Sequence, residues 1–381
     1  MNKKLKILMI LNIFFLFFVI GCKQNNIRTA IVDKNFYAQN FSYSDHEDHI
    51  KVRVNAGGSE YIRYLYREDS FIANNKTLQS SGNRIIQYVK IPVQRIISLS
   101  AENIFFLESL DSLDALKAID LTRNTSHEKV KELVKKGYVT QTGEGRDIDI
   151  EMIYSIDPDL IFTSWTGGDY DSVGILLRHG FPVAVTAGWL ESHPLGRAEW
   201  LVFLSLFLDM EYEGKNIFSN TIFRYNSLKA SVPASDKKPV VLVNMVYGDS
   251  WIVPSGESYF AIMLEHAGAA YPWASARRQG SLFFDFEQVF IAAHNADIWL
   301  LNTQGIRTSM DILNKDRRYS LFNAFQNRRI YNNDLEDRGE GNPFWDEGTA
   351  YPDRILSDLI SIIHQDPDAD NGRKHFFRRV E

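Results

Sequence analysis

Two stretches of the chain share one pattern, and that half-repeat narrows the possible folds more than any other feature. Ile150-Glu151-Met152-Ile153 leads to Asp159-Leu160-Ile161-Phe162, and Phe286-Glu287-Gln288-Val289 leads to Asp297-Ile298-Trp299-Leu300. In each, a glutamate opens a helical stretch and an aspartate directly precedes an apolar strand. Strands and helices alternate around both. In the first half, Arg95-Ile96-Ile97-Ser98-Leu99-Ser100 gives a strand leading into a helix from Glu102 to Leu110. Leu160-Ile161-Phe162 follows as a strand, then a helix near Val173–His179 and a strand at Pro182–Thr186. Such alternation implies a parallel sheet covered by helices. A second stretch opens with the strand Val240–Val243 and runs to about residue 335. The fold class is α/β, in two similar lobes.

Between the halves, Arg197 to Ser231 has no proline and one glycine, Gly214. Trp200, Leu204, Phe207, Leu208, Ile217, Phe218, Ile222 and Leu228 include several three- and four-residue spacings, a helical period. About thirty helical residues would reach ~45 Å, longer than one small domain is wide. The predicted order is an N-terminal lobe over 93–196, one long linking helix over 197–233 and a C-terminal lobe over 234–366. That last lobe ends in a closing helix, Pro352–His364, with a charged tail over 367–381 beyond it. Ahead of the lobes, alternating runs at Ile50/Val52/Val54, Ile62/Tyr64/Tyr66 and Ile86/Tyr88 are separated by Asn55-Ala56-Gly57-Gly58 and Asn74-Asn75. They predict a small antiparallel β extension over 42–92.

The N-terminus explains the only cysteine. Lys3, Lys4 and Lys6 precede an apolar run from Ile7 to Ile20, followed by Gly21 and Cys22. That run covers roughly 21 Å as a helix, short of the ~30 Å hydrocarbon core, and reads as a secretory signal over 1–21. Val19-Ile20-Gly21-Cys22 resembles a bacterial lipobox, in which the cysteine is lipidated and begins the mature chain. Residues 22–41 then read as a tether. The expected location is the periplasm, with the chain anchored to a membrane through Cys22.

Composition removes several functional classes. The 381 residues carry 42 Lys and Arg against 48 Asp and Glu, a net charge of −6, which argues against a general nucleic-acid binder. One cysteine excludes an internal disulfide framework and a multi-cysteine metal site. No glycine-rich nucleotide loop is present, since Gly143-Glu144-Gly145 has the wrong spacing, and there is no Gly-x-Ser-x-Gly elbow. His46-Glu47-Asp48-His49 lacks zinc-protease order and reads as an exposed polar turn. No cofactor and no catalytic machinery are expected. Aromatic and basic residues instead gather in loops near strand ends, where open α/β sheets bind ligands. The candidates are Trp165 and Tyr170, Trp189 and Glu191, Tyr247 and Trp251, Trp273 with Arg277 and Arg278, and Arg338 with Trp345. Indoles and phenols offer flat apolar faces, and arginine pairs with anions.

In their order along the chain, these features resemble ABC-importer substrate-binding lipoproteins. The resemblance is to the helical-backbone class that binds iron–siderophore complexes, haem and vitamin B12, in its Bacteroidetes-type form. It covers roughly residues 93 to 366. Its anchors are Arg95–Ser100, Glu151 through Pro158-Asp159-Leu160-Ile161, Gly180-Phe181-Pro182-Val183, Pro194–Trp200, Trp251–Gly256 and Pro352–Leu356. The resemblance implies a class III periplasmic binding protein fold, a largely preformed interlobe cleft and a monomer without enzymatic activity. It further implies docking of Glu151 and Glu287 onto a dimeric ABC permease. The expected ligand is an iron complex, siderophore or haem, with cobalamin as the alternative. An extracytoplasmic lipoprotein enzyme on a similar scaffold is the rival of a different class.

Overall fold

The computed structural model describes residues 31–33, 36–67, 79–168, 171–335, 340–364 and 374–381. Cys22 and the expected signal over 1–21, Tyr170 and Arg338 lie outside the described residues.

The N-terminal extension is a six-stranded sheet built from β1 (Ile31–Asp33), β2 (Phe41–Asp45), β3 (Ile50–Ala56), β4 (Ser59–Tyr66), β5 (Gln79–Ser81) and β6 (Arg84–Lys90). In β3, Ile50, Val52, Val54 and Ala56 point inward while the alternate residues face out, the period of a half-buried strand. The strand order is β1-β2-β3-β4-β6-β5, and β4 and β6 pair in parallel. The expectation of a wholly antiparallel extension is thus corrected. A tight turn can only join antiparallel neighbours, and the long stretch between Tyr66 and Arg84 lets the chain return in parallel.

Part of the expected tether is fixed in place. The backbone amides of Phe36, Tyr37 and Ala38 donate to the Glu199 carboxylate at 2.8, 2.8 and 2.7 Å. Those of Gln39 and Asn40 donate to Glu191 at 2.9 and 3.0 Å. Both carboxylates belong to buried residues, so these charge-assisted bonds offset their desolvation.

The first lobe sheet comprises β7 (Ile96–Ser98), β8 (Leu116–Ile119), β9 (Thr140–Gln141), β10 (Leu160–Ser164) and β11 (Val183–Thr186), all parallel, in the order β11-β10-β7-β8-β9. Its central strands β10 and β7 are buried on both faces, which is why they read as apolar runs. The free edge of β11 is closed by the extension. Gln87 accepts from Val183 N at 3.0 Å and donates to Phe181 O at 2.7 Å, so its amide stands in for a neighbouring strand.

In the second lobe, β12 (Val241–Val243) opens the core sheet. Next, β13 (Val246–Tyr247), β14 (Ser250–Pro254) and β15 (Ser281–Phe284) form a separate antiparallel meander. β16 (Ile298–Leu301) and β17 (Ile330–Asn332) then join β12 in parallel, and β18 (Arg378–Arg379) adds antiparallel at the edge. The charged tail is therefore corrected in its last residues. Phe376, Phe377 and Val380 are buried, and Asp358 accepts from the amides of His375, Phe376 and Phe377.

The half-repeat has a hydrogen-bonding basis. Asp149 and Asp285 cap the helices Ile150–Ile156 and Phe286–Ala293 by accepting from Met152 N at 2.8 Å and Gln288 N at 2.7 Å. Asp159 accepts from Gln94 N and Arg95 N, and Asp297 from Val240 N. Each aspartate thereby fixes the start of the strand beside its own, β7 or β12.

The linker is not one helix from 197 to 233. It is three: Pro194–Ala198, Trp200–Phe207 and the long Glu211–Ser231. The 21 residues of the last span about 32 Å. The break is a Schellman turn in which Asp209 adopts φ 59, Asp209 N donates to Leu206 O at 3.3 Å and Met210 N to Ser205 O at 2.9 Å. Such turns usually carry glycine, and aspartate hides this one from a sequence reading. Gly214 then lets the long helix pack closely on Ser205.

The lobes are joined a second time. Residues 340–351 return across the N-terminal lobe, where Asp346 accepts from Ser126 N and Ser126 Oγ at 2.7 Å each, and Tyr351 and Ser109 share a hydroxyl bond at 2.8 Å. From there the Pro352–His364 helix packs on the linking helix through Arg224 and Asp353 at 2.6 Å.

Candidate functional site

A cavity of about 540 Å³ lies between the lobes, within the range of small-molecule sites. Three of its wall residues are asparagines, each one position beyond the end of a parallel strand: Asn244 after β12, Asn302 after β16 and Asn333 after β17. The carboxyl ends of adjacent strands converge on one point, so consecutive strands deliver three carboxamides to one wall. Asn244 is held by donating to Ile252 O at 2.7 Å, and Asn302 accepts from Trp345 Nε1 at 3.3 Å.

The opposing wall is the short turn after β11. It supplies Trp189, Leu190, Glu191 and Ser192, with Arg197 from the next helix. Two contacts cross between the lobes at the cavity. Gln279 Nε2 donates to Ser192 Oγ at 2.6 Å, and the Arg197 guanidinium lies 3.8 Å from the centre of the Tyr259 ring. Arg197 also donates to Trp189 O at 3.0 Å. Burial holds the Tyr259 phenol above its ordinary value, with Arg197 opposing the rise. Tyr259, Phe260, Phe344 and Trp345 complete an aromatic lining.

The structure sorts the predicted residues. Trp189, 47% exposed, and Trp345, 45% exposed, both line the cavity, Trp189 from the turn after β11 and Trp345 from the segment that returns across the N-terminal lobe. Trp165 stands behind Trp189, the rings parallel within 11° and 6.2 Å apart. Glu191 lines the cavity but spends its carboxylate on the amides of Gln39 and Asn40. Burial raises its pKa, and those bonds oppose the rise.

The others are corrected. Trp251 is 0% exposed, its Nε1 donates to Val243 O at 2.9 Å, and it packs among Trp299, Tyr319 and Phe322, so it belongs to the core. Trp273 packs on Tyr271 and Phe284, outside the cavity wall. Tyr247 is 82% exposed and the Arg277 side chain 86%, and neither they nor Arg278 line the cavity. Tyr247 ends β13, and the loop of Arg277 and Arg278 reaches the cavity only through the following Gln279 and Gly280.

Sequence reasoning missed Arg197, Tyr259 and the three asparagines. The asparagines carried a usable signal, since each directly follows an apolar strand.

Glu151 and Glu287 sit in the first turns of equivalent helices, both exposed; Glu287 pairs with Arg318 at 2.7 Å. A crossover helix runs antiparallel to the strands it joins, so both glutamates lie toward the strands' carboxyl ends, the side on which the cavity opens. His46 and His49 stack at 4.5 Å in the turn between β2 and β3. Among the described residues no group of three or more metal-ligating side chains occurs, and no helix is long and apolar enough to cross a membrane.

This two-lobed arrangement with an interlobe cavity defines a solute-binding protein fold, and comparison with known proteins agrees. Residues 96–335, well over half the chain, match the periplasmic binding protein family, and the chain belongs to that family. An uncharacterized lipoprotein of Methanocaldococcus jannaschii is 25% identical over 340 residues, covering 86% of this chain and 77% of that protein.

Among solved structures, a possible iron-binding periplasmic solute-binding protein of Staphylococcus epidermidis aligns with TM-score 0.56 and 20% identity. It covers 72% of this chain and 100% of its own. A periplasmic haem-binding protein of Pseudomonas aeruginosa gives 0.57 and 14%, covering 76% and 98%. The periplasmic vitamin B12-binding protein of Vibrio cholerae gives 0.51 and 15%, covering 71% and 97%. At these identities the likeness is one of fold.

Proposed function

We propose that this chain is the substrate-binding lipoprotein of an ABC importer, anchored through Cys22, which captures a metal chelate and delivers it to the permease. An iron complex is the first choice and cobalamin the second. The observation that carries this reading is the cavity itself, with Trp189 and Trp345 both facing it and three carboxamides at strand ends on the other side. Flat indoles suit a conjugated or chelated ligand, and amides pair with its oxygens and nitrogens. The family match, and the iron-, haem- and B12-binding proteins that share the fold, support the same class.

Charge narrows the choice. Arg277 and Arg278 stand outside the cavity, and among the described residues the one cation on its wall, Arg197, already serves Trp189 O and the Tyr259 ring. This favours an uncharged chelate over a polyanion. Native mass spectrometry of the purified chain with ferrichrome (an uncharged ferric trihydroxamate), haemin and cyanocobalamin tests the reading. Saturable one-to-one uptake of ferrichrome or cyanocobalamin, without turnover, supports it. Binding to none of the three contradicts it, and catalytic consumption of a ligand favours the lipoprotein-enzyme rival.

A further inference from the structure

We propose that the N-terminal β extension is part of the ligand site, acting as a buttress that sets the position of Trp189. This rests on the cavity being the binding site. The turn between β3 and β4 reaches the N-terminal lobe beside the cavity. There the Trp165 indole lies in a slot between two glycines of positive φ, Gly57 (φ 58) from the extension and Gly167 (φ 69) from its own loop. A Cβ at Gly57 would run into the indole. Trp165 in turn stacks on Trp189 and accepts the Trp189 Nε1 hydrogen bond on its backbone oxygen at 2.7 Å.

A second contact, from the tether segment leading into β2, reaches the same turn. Gln39 and Asn40 hold Glu191, two residues beyond Trp189. Leu190, between them, lines both the cavity and an open groove beneath the extension formed by Asn55–Glu60 and Arg84. The Gly188–Leu190 turn is thus flanked on one side by the extension's sheet, through Gly57 and Trp165, and on the other by the segment leading into β2, through Glu191. Trp189 is half exposed, so its ring cannot be fixed by its own burial. The extension supplies the missing wall, and Gly57 and Trp165 are positioning residues acting through Trp189.

The neighbouring glycine provides the control. Gly58 has φ 74, and a Cβ there meets nothing within 4 Å. Gly57→Ala and Gly58→Ala therefore carry the same kind of backbone strain, while only Gly57→Ala displaces Trp165. Two readouts separate them. Indoles 6.2 Å apart couple excitonically, and in-plane rotation between their transition dipoles registers as a couplet in far-ultraviolet circular dichroism. Trp251 and Trp299 form a second stacked pair, so a Trp165→Phe variant supplies the background.

The expected result is loss of the Trp165–Trp189 couplet in Gly57→Ala with about tenfold weaker ferrichrome or cyanocobalamin binding, and neither change in Gly58→Ala. An intact couplet in Gly57→Ala, or equal effects of the two substitutions, overturns the proposal. So does a lost couplet with unchanged affinity where Trp189→Ala weakens binding. A lost couplet in Gly57→Ala with binding indifferent to Trp189→Ala upholds the buttress and condemns the cavity reading instead.

Discussion

Trp189 and Trp251 both occupy strand-associated segments flanked by glycine, yet one stands at the cavity and the other is fully enclosed. In β14, Trp251 and Val253 point inward while Ser250, Ile252 and Pro254 are only partly covered. The two-residue period decides the direction, and the buried Trp251 Nε1 is satisfied by Val243 O. Trp251→Ala should cost about 3–5 kcal/mol of folding stability in urea denaturation, whereas Trp189→Ala should cost less than ~1 kcal/mol. The reverse order would mean that the two tryptophans exchange roles. Loop composition alone could not separate them, because an aromatic beside a glycine looks the same whether it faces in or out. Arg277 and Arg278 misled for the same reason: their charge suits a ligand, but both residues are exposed outside the cavity while the next residue, Gln279, is the one that lines it.

At the scale of elements, the half-repeat was legible because its aspartates do the same work in each lobe, capping a helix or fixing the start of a strand. The break in the linker was not, since Asp209 takes the left-handed position that glycine would have announced. The fixed segment 36–40 was equally hidden. Its sequence is polar and irregular, and its order comes from Glu191 and Glu199, more than 150 residues away.

His193 joins these pieces. Its Nδ1 accepts from Leu195 N at 3.1 Å as the cap of the Pro194–Ala198 helix, and its ring stacks on Tyr37 at 4.6 Å. Burial chiefly, with His266 and Lys229 nearby, lowers its pKa from 6.5 to about 4, and His266 is lowered to about 4 as well. The unfolded chain therefore binds more protons than the folded one in that window. The stability these groups contribute is complete above about 6.5 and is lost as the pH falls toward 4. His193→Asn keeps a capping acceptor and removes one titration, so its urea midpoint should fall less steeply over the same range. An unchanged slope would show that His193 is not linked to folding.

For the whole molecule, the two lobes are joined both by the linker and by the return of residues 340–351, anchored by Asp346 on Ser126. Repeated covalent crossings and the contacts at Gln279 and Arg197 leave little room for wide opening, so recognition depends on a largely preformed shape. That general plan was legible from the alternation of strands and helices; the second crossing was not, because it depends on contacts distant in sequence. If Glu151 and Glu287 dock on the permease, charge reversal of both, Glu151→Arg with Glu287→Arg, should abolish uptake in cells while leaving ligand affinity within about twofold. Normal uptake by the exported double variant would rule out docking through these residues.

The central claim is that the interlobe cavity takes up a chelate between Trp189 and Trp345. Equilibrium titration of the full chain with ferrichrome and cyanocobalamin, followed by quenching of tryptophan fluorescence, tests it most directly. Wild type should saturate at one ligand per chain, and the Trp189→Ala, Trp345→Ala double variant should bind about 100-fold more weakly, two aromatic contacts at roughly tenfold each. Equal affinity in the folded double variant would place the ligand somewhere other than this cavity.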